Sequence, residues 1–558
     1  MADSVIDLAA TSVRSYGKNT YKPQAFEHIY TCNTGDLIPA FATTQINPGS
    51  SYNITTSILA RLNTSRYPTI ARGWIEYAWF YVPHMQVWDH WDNLMGENTE
   101  SAWISSTTYS IPQISIPNGT TIQVGSLLDH FNWRIGIGDF TASALKVRAY
   151  NWIIDQYYRD QNIEAPYAPN TGDATITYTT TGDWTVGGTP YKINRKADLW
   201  STCLPEPQKG PDVLLPLGTS APVIGRENYV MGLSPIKETN KINTPAHLGS
   251  TTDAISSSST IESNMYAVGG AVTPLATRFG YGLNKSASES GIYADLTAAT
   301  AASIMDLREA VVAQHIYERD ARSGTRAPEM LWARWGVEVD VLELGRPRLL
   351  TMGRFNIDFE QVPQTSASDA TSPQGTLTAF GYTNNREENG TFSFKYAGTL
   401  MCLCAIRFEH KYQQGIPYED LKKDRFDFWH PEFAGLGDDA VPVATIYATG
   451  GANGTIMKPE ENTFGYAERG WEYKNFQSCI TGKARSEYAQ SMDYVHLADL
   501  YASQPTLSMG WMKENPDNLD RTIFVSSELA DQWLVDFVAE FEITDTIPLY
   551  SIPGIDRL

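Results

Sequence analysis

Cysteine is scarce in this sequence. The 558 residues include five, an odd number without the paired spacing of a zinc site or a disulfide framework. They are Cys32, Cys203, Cys402, Cys404 and Cys479. Cys402 and Cys404 alternate within an apolar, strand-like run, so their side chains are expected on the same face. We interpret all five as small buried residues of a protein from a reducing compartment, and we predict neither a metal site nor a cofactor.

Long apolar runs and catalytic motifs are missing too. No stretch reaches the roughly 18 apolar residues that a membrane span needs, and the first residues, MADSVIDLAATSVRSYG, do not have the pattern of a signal peptide. The chain has no phosphate-binding G-x-x-x-x-G-K-[ST] loop, no H-E-x-x-H and no G-x-S-x-G. His90, inside the run WDHWDN, has neighbouring carboxylates but no third group for acid–base catalysis. We predict a loop or short helix anchored by two tryptophans there, and a protein that is not an enzyme.

Positive charge is in deficit. The chain has 42 Lys and Arg against 63 Asp and Glu, a formal net charge of -21. Because so acidic a chain repels phosphate, it is not expected to bind nucleic acid by itself. If the protein encloses DNA, then polyamines, metal ions or a small basic companion protein must neutralise most of the DNA charge.

What the sequence does contain is a succession of short β-strand patterns. The run WIEYAWFYVP (74–83) predicts a strand buried at least partly on both faces, and 392–412 predicts a longer strand. Between Val535 and Ile543 apolar residues recur at every second position, which predicts a strand with one wet face. Many strands and few helices favour a mainly β protein, a β-sandwich with helical insertions.

Helical spacing is confined to two segments, 142–160 and about 298–323. In the second, Thr297 is suited to the N-cap and Gly324 to the left-handed residue that ends a helix. Its buried stripe is predicted at the positions Ile304, Leu307, Val311 and Gln314/His315.

Two polar stretches are predicted to be surface insertions. Residues 166–190 are rich in Thr and Gly and alternate in TITYTTT, which predicts a hairpin. Residues 219–290 include STTDAISSSSTIES, and so long a polar stretch within a globular chain is usually functional or disordered.

Guanidinium groups are concentrated between Arg308 and Arg354, where there are eight arginines, while eight acidic residues lie between Asp306 and Glu343. This balance favours a network of charge-assisted hydrogen bonds, within or between subunits, over direct contact with nucleic acid.

Several segments, taken together and in order, resemble the microvirus major capsid protein of small single-stranded DNA bacteriophages, particularly its gokushovirus-like branch. These segments are TCNTGDLIP (31–39), FYVP (80–83) with WDHW (88–91), LKVRAYN (145–151), YRDQN (158–162), CLPEPQKG (203–210), ERDARSGTR (318–326), QQGI (413–416), PEFAGLG (431–437) and FGYAER (464–469). The resemblance extends over roughly 31–554.

The resemblance implies a viral jelly-roll β-sandwich with large loop insertions, one capsid subunit over 1–558. It also implies a T=1 icosahedral shell around circular single-stranded DNA, assembled in the bacterial host cytoplasm and found as the virion capsid. Its partners would be further copies of itself through pentamers and threefold contacts, an internal scaffolding protein, a small basic DNA-binding protein, a pilot protein and the packaged DNA. In such a shell, 219–290 would form a surface protrusion that contacts the host receptor; the alternative is a disordered surface loop.

Within these segments we single out residues as structural or assembly positions, with no catalytic role. They are Arg148, Tyr150, Asn151, Pro205, Pro207, Gln208, Lys209, Gly210, Glu318, Arg319, Asp320, Arg322, Gly324, Thr325, Arg326, Phe464, Gly465, Tyr466, Glu468 and Arg469.

Two other classes of protein stay open from the residues alone. A jelly-roll carbohydrate-binding module would use exposed Trp and Tyr to stack on sugars, and the chain has 15 Trp and 30 Tyr. An enzyme built on a β-sandwich is the other alternative, but the sequence identifies no site for it.

Overall fold

The computed structural model describes most of the chain. The described residues are 17–98, 107–213, 223–225, 233–236, 278–281, 292–294, 304–340, 345–363, 365, 375, 377–449 and 462–548. The chain divides into two compact units, Met1–Lys209 with Glu318–Leu558, and Gly210–Tyr317.

Strands are found in both units. In chain order they are β1 (Asn19–Tyr21), β2 (Phe26–Cys32), β3 (Ile38–Ile46), β4 (Ser51–Leu62), β5 (Gly73–Pro83), β6 (Gln113–Ile116), β7 (Phe140–Ser143), β8 (Ile176–Thr177), β9 (Val223–Gly225), β10 (Leu233–Ile236), β11 (Arg278–Tyr281), β12 (Ile292–Ala294), β13 (Arg348–Pro363), β14 (Leu377–Ser393), β15 (Gly398–Phe408), β16 (Asp438–Pro442), β17 (Thr463–Glu468) and β18 (Trp533–Asp545).

The helices are fewer and mostly short. They are α1 (Trp91–Leu94), α2 (Leu127–His130), α3 (Leu145–Ile153), α4 (Ile304–Ser323), α5 (Ala327–Trp335), α6 (Met509–Met512) and α7 (Asp517–Asp520). Among the described residues, no helix is both long enough and apolar enough to cross a membrane.

The first unit is built on one curled antiparallel sheet of nine strands in the order β1-β18-β4-β14-β13-β5-β15-β3, with β2 also paired to β18. Strand β13 serves both layers: 348–357 pair with β5, and 358–363 pair with β14. The sheet therefore folds over on itself at β13, and the two layers enclose a core as in a jelly-roll sandwich. This is the predicted fold class.

Strand β18 shows how the sequence pattern produces this core. Its residues alternate between buried and more exposed along the whole length. Val535 and Phe537 lie in the core between the layers, whereas Leu534 is outside it and exposed. The predicted strand with one wet face is confirmed, and its inner face meets Trp79 of β5 through Phe537, with ring centroids 6.3 Å apart.

Strands β5 and β15 are buried on both faces, as the continuous apolar run predicted for β5. Tyr77 and Trp79 point into the sandwich core, while Phe80 belongs to a second core on the other side of the same layer. In β15, Cys402 faces the sandwich core and Met401 the second core. A strand covered on both sides carries no polar alternation, because neither face meets water.

The cysteines follow the prediction with one exception. Cys402 and Cys404 lie in the same core on the same face of β15, and Cys32 and Cys203 are buried as well. Cys479 is exposed, so the interpretation of all five as buried is wrong at this position. Cys479 follows no apolar run in the sequence, so its sequence context does not predict burial.

The second core is closed by α3 and by the small sheet β7-β6-β8. The predicted helix over 142–160 is shorter than expected: α3 ends at Ile153, and a single π-helical turn, Ile154–Tyr158, continues it. Nearly every residue of α3 is buried, because the helix is enclosed by β5, β15 and the loops above them.

The long helix α4 begins at Ile304, and Gly324 follows its last residue with φ +86°, as predicted for the residue that ends it. Thr297 lies outside the described residues. The prediction of a buried stripe is wrong at Leu307 and Val311, which are 46% and 47% exposed in the single chain. The apolar spacing was recognised correctly, but Leu307 and Val311 are open to solvent in the single subunit.

The two predicted insertions differ in how much the structure describes. In 166–190, where the sequence predicted a hairpin, β8 pairs in parallel with β6, and Tyr178 next to it is fully buried. The alternating Ile and Tyr side chains pack inward there, so this part of the segment belongs to the second core. Most of 219–290 lies outside the described residues; within it, β10 pairs with β11.

Because Phe537 is fully buried and Leu534 on the same strand is not, the two residues offer a matched test of the sandwich core. Phe537→Ala is expected to lower the free energy of unfolding by about 3–5 kcal/mol, through lost burial and the cavity left behind. Leu534→Ala should cost less than about 1 kcal/mol. Urea unfolding of the unassembled subunit, followed by tryptophan fluorescence, measures both; equal losses would contradict the assigned faces of β18.

Candidate functional site

Arg148 is a buried cation on α3, and it holds two loops against the helix. Its Nη1 donates to the carbonyl oxygens of Val87 (3.1 Å) and Gly172 (2.8 Å), and its Nη2 donates to that of Ala174 (2.9 Å). Burial lowers the pKa of Arg148. A buried guanidinium needs such acceptors, because an unpaired charge in this core would be strongly destabilising.

Tyr150 and Asn151 tie further segments to the same helix. The Tyr150 hydroxyl donates to the Leu37 carbonyl (2.7 Å) and accepts from the Tyr191 backbone N–H (3.1 Å). Asn151 Nδ2 donates to the Thr185 carbonyl (2.9 Å). Burial raises the pKa of Tyr150, so its hydroxyl stays a proton donor. Two of the segments singled out in the sequence, TCNTGDLIP and LKVRAYN, thus meet here.

The segments YRDQN and ERDARSGTR also meet. Arg326 Nη2 donates to the carbonyl oxygens of Asp155 (2.6 Å) and Arg159 (3.0 Å) in the turn that follows α3. The backbone N–H of Thr325 donates to Gln161 Oε1 (2.9 Å). Arg326 therefore satisfies carbonyls at a helix end that have no intrahelical partner.

A third pair of segments extends this network. Arg322 Nη2 forms an ion pair with Asp438 Oδ1 (2.7 Å) in β16, which pairs with β17. Leu204 in turn bridges Tyr466 of β17 through two backbone hydrogen bonds of 2.8 Å. We call the residues 155–161, 320–326, 204 and strands β16–β17 the motif junction.

Glycine is required at position 465 of the motif junction. A Cβ added to Gly465 would lie 2.7 Å from Cys203 Cβ, closer than side-chain atoms approach. The neighbouring Phe464 is buried, and Arg469 pairs with Asp439 at 3.5 Å. Glu468 is exposed and pairs with Lys474 at 2.6 Å.

The other residues singled out in the sequence lie nearer the surface. Asp320 accepts two hydrogen bonds from Arg334, at 2.7 and 2.8 Å. Arg319 is exposed and Glu318 half-buried. In the other segment Pro205 and Pro207 are exposed, Gln208 and Lys209 are half-buried, and Gly210 begins the second unit with φ +137°.

His90 takes part in a structural contact. Its Nδ1 lies 3.0 Å from Asp173 Oδ1, which also accepts from Trp88 Nε1 at 2.7 Å. These hydrogen bonds lower the pKa of Asp173. Trp88 is fully buried and α1 follows at Trp91, as predicted for this run. Within the described residues, no group of three or more His, Cys, Asp or Glu is arranged to hold a metal ion.

Large apolar side chains are exposed at several places on the single subunit. In α5, Trp332 and Trp335 are each 63% exposed, and Phe476 and Leu529 are 97% and 83% exposed. Tryptophan and phenylalanine exposed to this degree are unusual on a monomeric protein and are typical of surfaces that another molecule covers.

A buried ion network, which the sequence analysis missed, lies below the end of β15. His410 Nδ1 is 3.1 Å from Asp499 Oδ2, and its Nε2 is 3.1 Å from Glu514 Oε1. Arg195 Nη1 donates to Asp499 Oδ2 at 2.6 Å. All four side chains are at most 5% exposed. The one sequence signal was a histidine two residues beyond the end of an apolar strand.

The network holds His410 in its charged form. Burial alone lowers the pKa of His410, but Asp499 and Glu514 outweigh it and raise the pKa to about 10. Burial raises the pKa of Asp499, yet His410 and Arg195 hold it well below its usual range. Two cations thus face two carboxylates. Removal of any one of these charges would leave an oppositely charged partner buried without compensation.

We expect this network to give the subunit a pH-dependent stability. His410 contributes fully below pH 6.5, and its contribution is lost as the pH rises toward about 10, because the unfolded chain gives up this proton first. His410→Gln should lower the free energy of unfolding by about 3–5 kcal/mol near neutral pH, and it should flatten the decline at higher pH. Urea midpoints across this range measure both effects.

His90→Gln is the matched control, since His90 lies near the surface. It should leave both the midpoint and its pH dependence nearly unchanged. If the free energy of unfolding of the wild type falls with rising pH no more steeply than that of His410→Gln, then His410 is neutral in the folded subunit.

Comparison with known proteins covers almost the whole chain. Residues 19–555 match the family described as Capsid protein (F protein). The chain is 31% identical over 532 residues to Capsid protein VP1 of Bdellovibrio phage phiMH2K, covering 93% of this chain and 92% of that protein. It is 31% identical over 544 residues to Capsid protein VP1 of Spiroplasma virus 4, covering 94% and 93%.

Capsid protein VP1 of Chlamydia phage 1 is 28% identical over 567 residues, covering 94% of this chain and 93% of that protein. These matches include both compact units, and they confirm the resemblance carried by the short segments. The chain therefore belongs to the Capsid protein (F protein) family and is a structural capsid protein of the gokushovirus-like microvirus type.

Proposed function

We propose that this protein is the shell subunit of a T=1 icosahedral virion that encloses circular single-stranded DNA and is assembled in the bacterial host cytoplasm. The observation that carries the proposal is the exposed apolar surface of the single subunit, above all Trp332, Trp335 and Phe476. Copies of the subunit bury these side chains against one another in pentamers and at threefold contacts. The membership of a capsid family supports the same role.

The motif junction has a positioning role in this proposal. Arg322 and Arg326 fasten 320–326, which leads directly into α5, to the turn after α3 and to β16. The exposed tryptophans of α5 are thereby presented at a fixed angle to the jelly roll. Fixed geometry is what allows identical contacts to close into a shell instead of an open chain.

The negative charge of the subunit implies that other molecules neutralise the packaged DNA. With a formal net charge of -21, the protein repels the DNA that the shell encloses. We infer that a small basic DNA-binding protein neutralises the packaged DNA, and that an internal scaffolding protein and a pilot protein accompany assembly. The subunit supplies the container and no reaction.

Residues 219–290 form the host-contacting protrusion in this proposal. The segment lies within the compact unit Gly210–Tyr317, separate from the unit that holds the jelly roll. Its composition is polar, with the run STTDAISSSSTIES. A polar insertion of this length can change its receptor specificity without altering the packing of the sandwich.

The expected particle is a closed shell of sixty copies. Expression with any short neighbouring scaffolding gene should give particles of about 3.7 MDa by mass photometry, from subunits of 62.0 kDa, with round shells in negative stain. Trp332→Ser combined with Trp335→Ser should shift the mass to pentamers or smaller species without unfolding the subunit, because both side chains are exposed. Phe80→Ser, inside the second core, is the contrasting variant and should prevent folding.

A wild-type protein that stays a monomer or dimer under all assembly conditions would overturn the proposal. Saturable binding of a glycan by that small species would instead favour the carbohydrate-binding module.

Deletion of 219–290, with a short Gly/Ser linker in its place, tests the protrusion. Particles of correspondingly lower mass should still form, because the jelly roll lies in the other compact unit. Adsorption to host cells should fall to background. The comparison uses a phage carrying the same deletion and one carrying a composition-matched scrambled insertion; normal infection by the deletion phage would contradict the receptor role.

A further inference from the structure

Lys513 and Asn194 are neighbours in space, although 319 residues separate them in the chain. Their backbones form an antiparallel bridge, which places the two side chains on the same side. Lys513 Nζ donates to Asn194 Oδ1 at 2.9 Å, and Asn194 Nδ2 donates to the Tyr158 carbonyl at 3.2 Å. The amine is therefore in contact with the carboxamide group, and the carboxamide has a fixed orientation.

A carboxylate stands beside this pair. Glu164 Oε1 accepts from Lys513 Nζ, and both oxygens of Glu164 accept from the Tyr191 hydroxyl at 3.0 Å. Lys513 Nζ also donates to the Tyr191 hydroxyl at 2.6 Å and lies 3.9 Å from the centre of the Tyr191 ring. An amine, a carboxamide and a carboxylate thus share one small site with an aromatic wall.

The site is largely closed to solvent. The side chains of Lys513 and Glu164 are 15% and 8% exposed. Burial lowers the pKa of Lys513, although Glu164 opposes this shift. A desolvated lysine gives up its proton more readily and then becomes a nucleophile, which an exposed lysine near neutral pH is not.

We propose that Lys513 Nζ and Asn194 Cγ form an intramolecular isopeptide bond, with Glu164 carrying the proton between the two nitrogens. The neutral amine attacks Cγ, and the new C–N bond forms while the amide oxygen takes up the electron pair of the carbonyl bond. Glu164 accepts a proton from Nζ and delivers it to Nδ2. The oxygen then returns its electron pair to re-form the carbonyl bond, the Cγ–Nδ2 bond breaks, and one molecule of ammonia leaves. No oxidant, reductant or added group is needed.

Proximity supplies what the uncatalysed reaction lacks. Amines attack carboxamides very slowly in water, but well-oriented intramolecular partners gain effective molarities on the order of 10⁵ M or more. A purely structural ion pair between Lys513 and Glu164 does not explain why a carboxamide group lies beside the amine. The bridged backbones hold Asn194 there in the folded subunit and only there.

The bond has a structural consequence. It would link the strand-like segment around 194, close to α3, covalently to the segment around 513, which leads toward β18. The sandwich would then be closed by a covalent loop in a protein whose described cysteines form no disulfide. This inference is independent of the proposed shell geometry, since the site lies within one subunit.

Intact-mass spectrometry of the full chain tests the inference. After purification and several days at room temperature, the wild-type mass is expected to be about 17 Da below that of the linear chain, the mass of one ammonia. Lys513→Arg keeps the cation but cannot form the bond, so its mass should equal that of its linear sequence. Comparing the two, corrected for the substitution, removes any effect of end processing.

Digestion with trypsin should yield a branched peptide that joins Asn194 to Lys513 in the wild type only. Glu164→Gln, which keeps the shape of the side chain, should fold and retain the full linear mass or lose ammonia far more slowly. A wild-type chain with the linear mass, and with the peptides of 194 and 513 recovered separately, would overturn the proposal. Ammonia loss at another asparagine, with these two peptides unlinked, would overturn it equally.

Discussion

Covering both faces of β5 and β15 is the constraint on which the rest of this subunit depends. One face of this layer closes the sandwich with β18 and β4, and the other face would be an apolar surface open to water. The chain covers it with α3, the small sheet β7-β6-β8 and the loops between them. The part of the chain between Val87 and Ile193 completes this second core.

Enclosing α3 creates a second demand, because a helix buried on all sides has no wet face for its polar residues. Arg148 and Asn151 donate to loop carbonyls, and Asn151 donates also to the Tyr167 hydroxyl, so that the loops are fixed in return. The same helix continues into the turn that Arg326 caps. The polar contacts of the motif junction thus follow from the burial of α3. They also fix the position of α5, with its exposed tryptophans, relative to α3.

The sequence predicted what local periodicity controls and missed what depends on distant partners. The strand patterns at β5 and β18 and the glycine that ends α4 followed from two-residue or helical spacing. The buried network of His410, Asp499 and Glu514 joins segments about a hundred residues apart, and no spacing rule brings them together. The apolar stripe of α4 was visible as well, but periodicity cannot tell a face that packs within a subunit from one that packs between subunits.

That ambiguity is itself informative about assembly. A monomeric protein whose tryptophans are 63% exposed would lose solubility, unless charge keeps copies apart until they meet in the right orientation. The net charge of -21 provides such repulsion between subunits at long range, while the apolar side chains attract only on contact. Weak, orientation-dependent contacts between mutually repelling subunits favour the one arrangement in which all contacts form together. In the shell proposed above, acidity and exposed tryptophan, which look contradictory in a single chain, therefore serve the same assembly.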